Sequence, residues 1–225
     1  MMLKILGISG SPRKGATLFA LETALEEAKR IPGIETEIWS VRGKKIGFCV
    51  HCDACIRDKV MCIIKDDLQE LEEKILEADA IIIASPVYDM NVSAQLQAVF
   101  NRLRPIYLVH PGKLQNKVGA AIATGGTRHG GQEIVNMNIL NFYLMHEMLA
   151  FGGLGGCYNG ATVWTRDNKA QGVIDDEVGM DQVKRLGLGL AEAALAAKYG
   201  REKWLEMKAE YEKNFTIEKS PLRDH

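Results

Sequence analysis

The 225-residue sequence has no excess of charge of either sign. Lys and Arg together number 28 and Asp and Glu number 29, which gives a formal net charge of -1. Nucleic acids and anionic membrane surfaces attract proteins largely through a surplus of positive charge. The charge balance therefore argues against both as general partners, and it leaves small molecules and electron carriers as the main expectation.

Long apolar runs are also missing. No run approaches the roughly 18 residues that a membrane-spanning helix needs. The first ten residues, MMLKILGISG, lack a charged segment ahead of an apolar stretch and lack a cleavage site, so we expect no signal peptide. These absences predict a cytoplasmic protein without a membrane partner.

The chain shows no repeat, low-complexity linker or break in composition, and short apolar runs alternate instead with helical patterns. Strands are predicted at 3–9, 34–39, 80–85 and 118–124, with a last strand within 152–165. Helices are predicted at 18–30, 67–76, 93–104, 132–149 and 181–198. This alternation is typical of parallel strands joined by crossover helices, so the sequence predicts a doubly wound five-stranded α/β sheet.

The predicted domain covers residues 1–200, with a cysteine loop at 43–65 after the second strand. A further short helix at 204–215 and a polar tail at 216–225 make up a C-terminal segment, 201–225. Within the helix at 181–198, Gly187 and Gly189 are weak points for helix formation. In a sheet of this type, ligands lie outside the carboxyl ends of the strands.

The loop after the first strand, 9–17, is rich in hydroxyl groups and opens a helix. Backbone N–H groups at a helix start, together with such hydroxyls, suit a phosphate, and the natural ligands are Ser9, Ser11, Arg13 and Thr17. The loop lacks both the Gly-Lys-Ser/Thr ending of a Walker motif and the G-x-G-x-x-G pattern. It therefore favours a terminal monophosphate, although a serine-capped turn is an equally simple interpretation.

Two further strand ends carry loops that could enclose a flat ring. The loop 85–91 combines a rigid proline with an aromatic residue, and the loop 124–131 is rich in glycine, which allows backbone amides to approach a ligand closely. The alternative for the glycine-rich loop is a flexible surface segment. Together with the phosphate loop, these two loops make flavin mononucleotide (FMN) the best joint candidate.

Four cysteines lie within fourteen residues in the spacing C-x2-C-x2-C-x6-C, at Cys49, Cys52, Cys55 and Cys62. Successive x2 intervals can wrap a chain around three corners of a cubane cluster, and a fourth thiolate completes it. Zinc more often uses two separated C-x2-C pairs, but zinc and metal-free redox thiols stay open. The fifth cysteine, Cys157, is expected to be a packed thiol.

The loop motifs together resemble the flavodoxin-like NAD(P)H-dependent FMN reductase superfamily over about residues 3–165. The motifs are Ser9-Gly10-Ser11-Pro12-Arg13, Ser85-Pro86-Val87-Tyr88, and Gly125-Gly126 with Gly130-Gly131-Gln132-Glu133. The resemblance implies a flavodoxin-like fold, a homodimer or homotetramer, and FMN with its phosphate in the first loop and its ring between the other two. The FMN-binding residues implied are Ser9, Ser11, Pro12, Arg13, Ala16, Thr17, Leu18, Pro86, Val87, Tyr88, Asp89, Met90, Asn91, Thr124, Gly125, Gly126, Arg128, Gly130 and Gly131.

The cysteine motif is similar to that of the iron-sulfur flavoproteins within this superfamily. That resemblance implies a [4Fe-4S] cluster beside FMN, and it implies electron transfer between ferredoxin or NAD(P)H and a small oxidant such as a quinone, peroxide or oxygen. No protein acid, base or nucleophile is required, so no catalytic residue is expected. The alternatives are a cluster-free NAD(P)H-dependent FMN or quinone reductase, and a non-catalytic module with a zinc or redox-sensing loop. Four basic residues near the cysteines could recruit an acidic ferredoxin: Lys44, Lys45, Arg57 and Lys59.

Overall fold

The computed structural model describes residues 2–214 and shows one parallel sheet with helices on both faces. The strands are β1 (Leu3–Ser9), β2 (Ile34–Ser40), β3 (Ala80–Pro86), β4 (Val118–Gly125), β5 (Leu149–Phe151) and β6 (Ala161–Trp164). Their order is β2-β1-β3-β4, and both β5 and β6 pair with β4. Every pairing between these strands is parallel, so the predicted doubly wound α/β sheet is confirmed.

The central strands are buried on both faces, as their continuous apolar runs predict. Every residue of β3 and β4 is buried, whereas most positions of the edge strand β2 are half-buried or exposed. The helices are α1 (Ala16–Ala28), α2 (Ala54–Arg57), α3 (Leu68–Glu77), α4 (Ala94–Arg102), α5 (Pro105–Val109), α6 (Gln132–Met145), α7 (Lys169–Ile174) and α8 (Glu177–Asn214). One core lies between the sheet and α3, α4 and α6, and a second lies between the sheet and α1, α7 and α8.

The fifth position of the sheet is divided between two short strands. β5 pairs with the first half of β4, from Val118, and β6 pairs with its second half, from Ile122. The predicted helix at 132–149 was therefore too long: α6 ends at Met145, Glu147 adopts a left-handed backbone conformation, and the Leu149 N–H donates to the carbonyl of Lys117 at the start of β5. Cys157 is buried in the loop between β5 and β6.

The last helix differs from its prediction in continuity. The two helices predicted at 181–198 and 204–215 form one helix, α8, which runs through Gly200 to Asn214. Gly187 marks a close contact in this helix, since a Cβ there would lie 2.0 Å from the carbonyl oxygen of Ala24 on α1. The polar tail predicted at 216–225 lies outside the described residues. Among the helices of residues 2–214, none is both long and apolar enough to cross a membrane.

A buried carboxyl group on α3 should give the protein a characteristic pH dependence of stability. Burial raises the pKa of Glu72 to about 7, against the opposing charges of Arg102 and Lys65. The folded pKa lies above the unfolded one, so the stability from this group is complete at low pH and is lost as pH rises from about 4.5 to about 7. We expect the wild type to lose about 2 kcal/mol of unfolding free energy over this range relative to Glu72→Gln. The comparison is made between the two proteins because burial lowers the pKa of His146 to about 4, which gives an opposing gain in both.

Denaturant unfolding at a series of pH values tests this expectation. Glu73→Gln is the matched control because Glu73 is the next residue on the same helix and is exposed. This control should reproduce the wild-type pH profile. Parallel profiles for wild type and Glu72→Gln would contradict the assignment.

Candidate functional site

A cleft of about 300 Å³ lies at the carboxyl ends of β1, β3, β4 and β6. The predicted residues that line it come from all three loops: Ser11, Arg13, Ala16, Thr17, Pro86, Val87, Tyr88, Thr124 and Gly126. The fold therefore brings together segments that are distant in sequence, at the edge where parallel sheets bind ligands.

One end of this cleft is suited to an anion. α1 begins there at Ala16, no side chain caps the helix start, and its first turn has no acidic residue. Arg13 and Lys14 line the same end, and the Thr17 and Thr124 hydroxyls lie 2.7 Å apart across it. Uncapped N–H groups, two cations and two hydroxyls are the chemistry that a phosphate requires.

The loop after β6 also lines the cleft, and the sequence prediction missed it. Thr165 and Asp167 come from this loop and Lys169 is the first residue of α7, while Lys14 and Gly15 come from the first loop. A Cβ at Gly126 would lie 2.2 Å from Asp167 Oδ1, so the Asp167 side chain packs directly against the backbone of the third loop. The loop could have been found from the sequence, because the loops that follow parallel strands all lie at this edge of the sheet. The last strand was predicted only within 152–165, so the residues that follow it were not considered.

The other predicted FMN-binding residues lie behind or beside this cleft. Ser9 is buried beneath the first loop, and Asp89 and Met90 adopt left-handed backbone conformations at the tip of the second. Gly131 touches that tip, because a Cβ there would lie 2.9 Å from the Cα of Met90. Arg128 lies 4.3 Å from the centre of the Trp164 ring, next to a separate depression. The remaining predicted residues outside the lining are Pro12, Leu18, Asn91, Gly125 and Gly130.

The four clustered cysteines face one small cavity between the cysteine loop and the α4–α5 junction. All four are free thiols: Cys49 and Cys52 are exposed, and Cys55 and Cys62 are half-buried. Asn101, Arg102, Arg104 and Pro105 complete the far wall. The loop therefore presents its sulfur atoms to a common space and forms no disulfide there.

Four thiols on one cavity could serve as the ligands of a metal centre. Among residues 2–214, no three His, Cys, Asp or Glu side chains are gathered around a single point as ligands of one metal ion. A four-iron cluster takes one thiolate at each of its four corners. Four thiols on one cavity therefore fit a cluster in number and in chemistry.

Arg102, the last residue of α4, is the other component that the sequence prediction missed. Its guanidinium is fully buried against the cysteine loop and donates to Cys62 Sγ at 3.3 Å. Two of the basic residues predicted to attract a partner are instead engaged by carboxylates: Lys44 pairs with Glu70, and Arg57 pairs with Asp58 at 2.8 Å.

The strand order and the cleft at the carboxyl ends of the strands define a protein of the flavodoxin-like class. Residues 3–155 match the model of the NADPH-dependent FMN reductase family. An iron-sulfur flavoprotein of Methanocaldococcus jannaschii is 45% identical over 184 residues, which cover 81% of this chain and 92% of that protein. One from Archaeoglobus fulgidus is 44% identical over 84% of this chain and 95% of its own length. The chain belongs to the iron-sulfur flavoproteins of the NADPH-dependent FMN reductase family.

Solved structures agree on the fold. RosB with a bound flavin-derived intermediate superposes with a TM-score of 0.65 and 19% identity, over 97% of this chain and 93% of its own. A WrbA-like flavodoxin from Agrobacterium tumefaciens has a TM-score of 0.60 and 16% identity, over 88% of this chain and 99% of its own. The flavodoxin-like fold predicted for the chain is confirmed.

Proposed function

We propose that this flavin redox protein couples a [4Fe-4S] cluster to FMN and moves electrons between ferredoxin or NAD(P)H and a small oxidant, such as a quinone, peroxide or oxygen. The observation that carries the proposal is the presence, in one domain, of an anion-binding cleft and of four free thiols facing one cavity. Membership of the FMN reductase family supports FMN as one redox centre, and the cysteine motif supports an iron-sulfur cluster as the second.

FMN is assigned to the cleft of about 300 Å³ with its phosphate at the start of α1. Arg13, Lys14 and Lys169 would balance the phosphate charge, while the Thr17 hydroxyl and the first-turn amides would donate to its oxygens. Pro86, Val87 and Tyr88 would form one wall for the ring, and Gly126 would let the backbone approach its other side. FMN exchanges electrons singly or in pairs, and the protein contributes orientation and electrostatics.

The cluster is assigned to the cavity of the cysteine loop, with Cys49, Cys52, Cys55 and Cys62 as its ligands. A [4Fe-4S] cluster exchanges one electron at a time, so its pairing with FMN would interconvert one-electron and two-electron transfer. The residues of the chain bind and orient both groups, and no side chain is required to act as acid, base or nucleophile.

The partners follow from the surface and the charge distribution. α6 exposes Ile134, Met137, Leu144 and Met145 on the side away from the sheet, which favours a homodimer or homotetramer that covers them. Near the cysteines, Lys45 remains exposed, so a contact with an acidic ferredoxin is part of the proposal alongside NAD(P)H. We place the protein in the cytoplasm, where thiols stay reduced.

Analysis of anaerobically purified protein tests the proposed function. We expect FMN together with about four irons and about four sulfides per flavin, and bleaching by reduced ferredoxin or by NAD(P)H identifies the donor. A yellow protein without iron after reconstitution would favour the cluster-free reductase. Colourless protein with stoichiometric zinc would overturn the proposal in favour of the non-catalytic module.

A further inference from the structure

A buried arginine on α4 links the cysteine loop to the body of the protein. The Arg102 side chain has 0% exposure, and each of its three nitrogens donates a hydrogen bond to the loop. Nε donates to Cys62 Sγ at 3.3 Å, Nη2 donates to the Ile64 carbonyl at 2.9 Å, and Nη1 donates to the Gly47 carbonyl at 3.2 Å and pairs with Asp66. The guanidinium therefore joins both ends of the loop, at residues 47 and 62–66.

The carboxylate of Asp66 holds this arrangement in place. Asp66 Oδ2 accepts from the Gly47 N–H at 2.7 Å, and Oδ1 accepts from the Leu68 N–H at 3.1 Å. The Arg102 guanidinium, which stays positively charged in proteins, therefore has fixed partners on every nitrogen and donates to one sulfur of the four.

A buried arginine with this geometry would affect the redox chemistry of a bound cluster as well as the packing of the loop. Hydrogen bonds to ligand sulfurs and nearby positive charge stabilise the more negative, reduced form of an iron-sulfur cluster and raise its reduction potential. A planar guanidinium can meet a sulfur, two carbonyls and a carboxylate at once, whereas a lysine amine presents a single point of charge.

We propose that Arg102 is a positioning residue that fixes Cys62 and sets the reduction potential of the cluster through its Nε–H···Sγ hydrogen bond. This inference rests on the proposed function, because it requires a cluster on the four cysteines. It adds to Cys62 a directed, charged hydrogen-bond donor from outside the loop.

The test compares wild type with Arg102→Gln and Arg102→Lys after anaerobic reconstitution. Iron per flavin is measured first, and the potential of the cluster is then measured by EPR-monitored redox titration. We expect at least a tenfold fall in the ratio of reduced to oxidised cluster at a fixed potential for Arg102→Gln, which is a lowering of about 59 mV for a one-electron couple. We also expect a lower cluster potential in Arg102→Lys, since a lysine amine cannot reproduce the directed hydrogen bonds of the guanidinium.

Arg57→Lys is the control, because Arg57 lies in the same loop but is exposed and paired with Asp58. Its potential should match that of the wild type. Full iron content with an unchanged potential in both Arg102 variants would overturn the inference and leave the proposed function intact. Wild type without iron would instead refute the proposed function itself.

A second measurement covers the case in which the Arg102 variants lose the cluster. Wild-type protein labelled with ¹⁵N-arginine should show a nitrogen coupling to the reduced cluster in pulsed EPR, and labelled Arg57→Lys should keep it. A wild-type spectrum without nitrogen coupling would overturn the inference with no variant involved.

Discussion

Replacing Cys52 with serine is expected to abolish bound iron while FMN remains at the wild-type level. Cys52 is the central cysteine of the C-x2-C-x2-C run, and its thiol faces the cavity shared with Cys49, Cys55 and Cys62. Serine keeps the size of the side chain but removes the thiolate that the cluster requires. The flavin cleft is built from other segments, so its occupancy should not change.

Cys157→Ser is the matched control for this experiment. Cys157 is 2% exposed and donates to the carbonyl of Gln182 at 3.5 Å, in the loop between β5 and β6. Iron, sulfide and flavin are determined on all three proteins after the same anaerobic reconstitution. The ligand assignment is refuted by iron retained in Cys52→Ser, and equally by iron lost from Cys157→Ser alone.

A negative charge placed at Gly15 is expected to weaken FMN binding by about 100-fold. Gly15 lies directly before α1, where the phosphate is assigned, and a Cβ there meets no atom within 4 Å. Gly15→Asp therefore adds a carboxylate without a steric clash, and it places this charge beside the phosphate. Repulsion of about 2.7 kcal/mol, in the range for partly screened charges a few ångströms apart, corresponds to this loss.

Gly15→Asn separates charge from size, because asparagine has the same shape and no charge. Gly15 is the N-cap of α1, so both side chains can accept from the first-turn N–H groups, but only aspartate adds a charge. Flavin titration of the apoproteins should therefore give clearly weaker binding by Gly15→Asp than by Gly15→Asn, and equal affinities of these two variants would contradict the predicted charge repulsion. Iron content should stay constant in both variants, which is the converse of the result expected for Cys52→Ser.

The sheet could be predicted closely where its strands are continuous apolar runs. The predicted strands at 3–9, 80–85 and 118–124 match β1, β3 and β4 to within one residue at each end. The fifth position was harder, because Leu149–Phe151 is too short to show a period and follows directly on a helical pattern. Its identity as a strand depends on pairing with β4, which is a tertiary interaction.

Two glycines show how local propensity misleads. Gly187 and Gly189 were predicted to weaken their helix, yet α8 runs through both without interruption. A Cβ at Gly187 would lie 2.0 Å from a carbonyl oxygen of α1, and one at Gly189 would lie 2.6 Å from Leu154. Both glycines serve close packing against neighbouring segments, which single-residue propensities do not record.

The sequence predicted those parts of the candidate site in which a motif directly follows a strand. The first loop and Pro86-Val87-Tyr88 were placed beside one another from sequence, and they line the same cleft. Arg102 could not be found in that way: it ends an ordinary amphipathic helix, and 40 positions separate it from Cys62. Asp167 and Lys169 were missed for a related reason, since the segment that carries them follows the strand whose end was not located.

With a cluster bound as proposed, the way in which the cysteine loop is attached would also set the order in which the protein matures. Between residues 47 and 66, Ala54 is the one buried residue, and the base of the loop is closed by Asp66, Asp67 and Arg102. The hydrophobic cores lie almost entirely outside this segment, so the polypeptide can fold completely before any iron arrives. Newly synthesised chains would then wait as stable, flavin-competent apoproteins, and assembly of the cluster would be a late step on a finished scaffold.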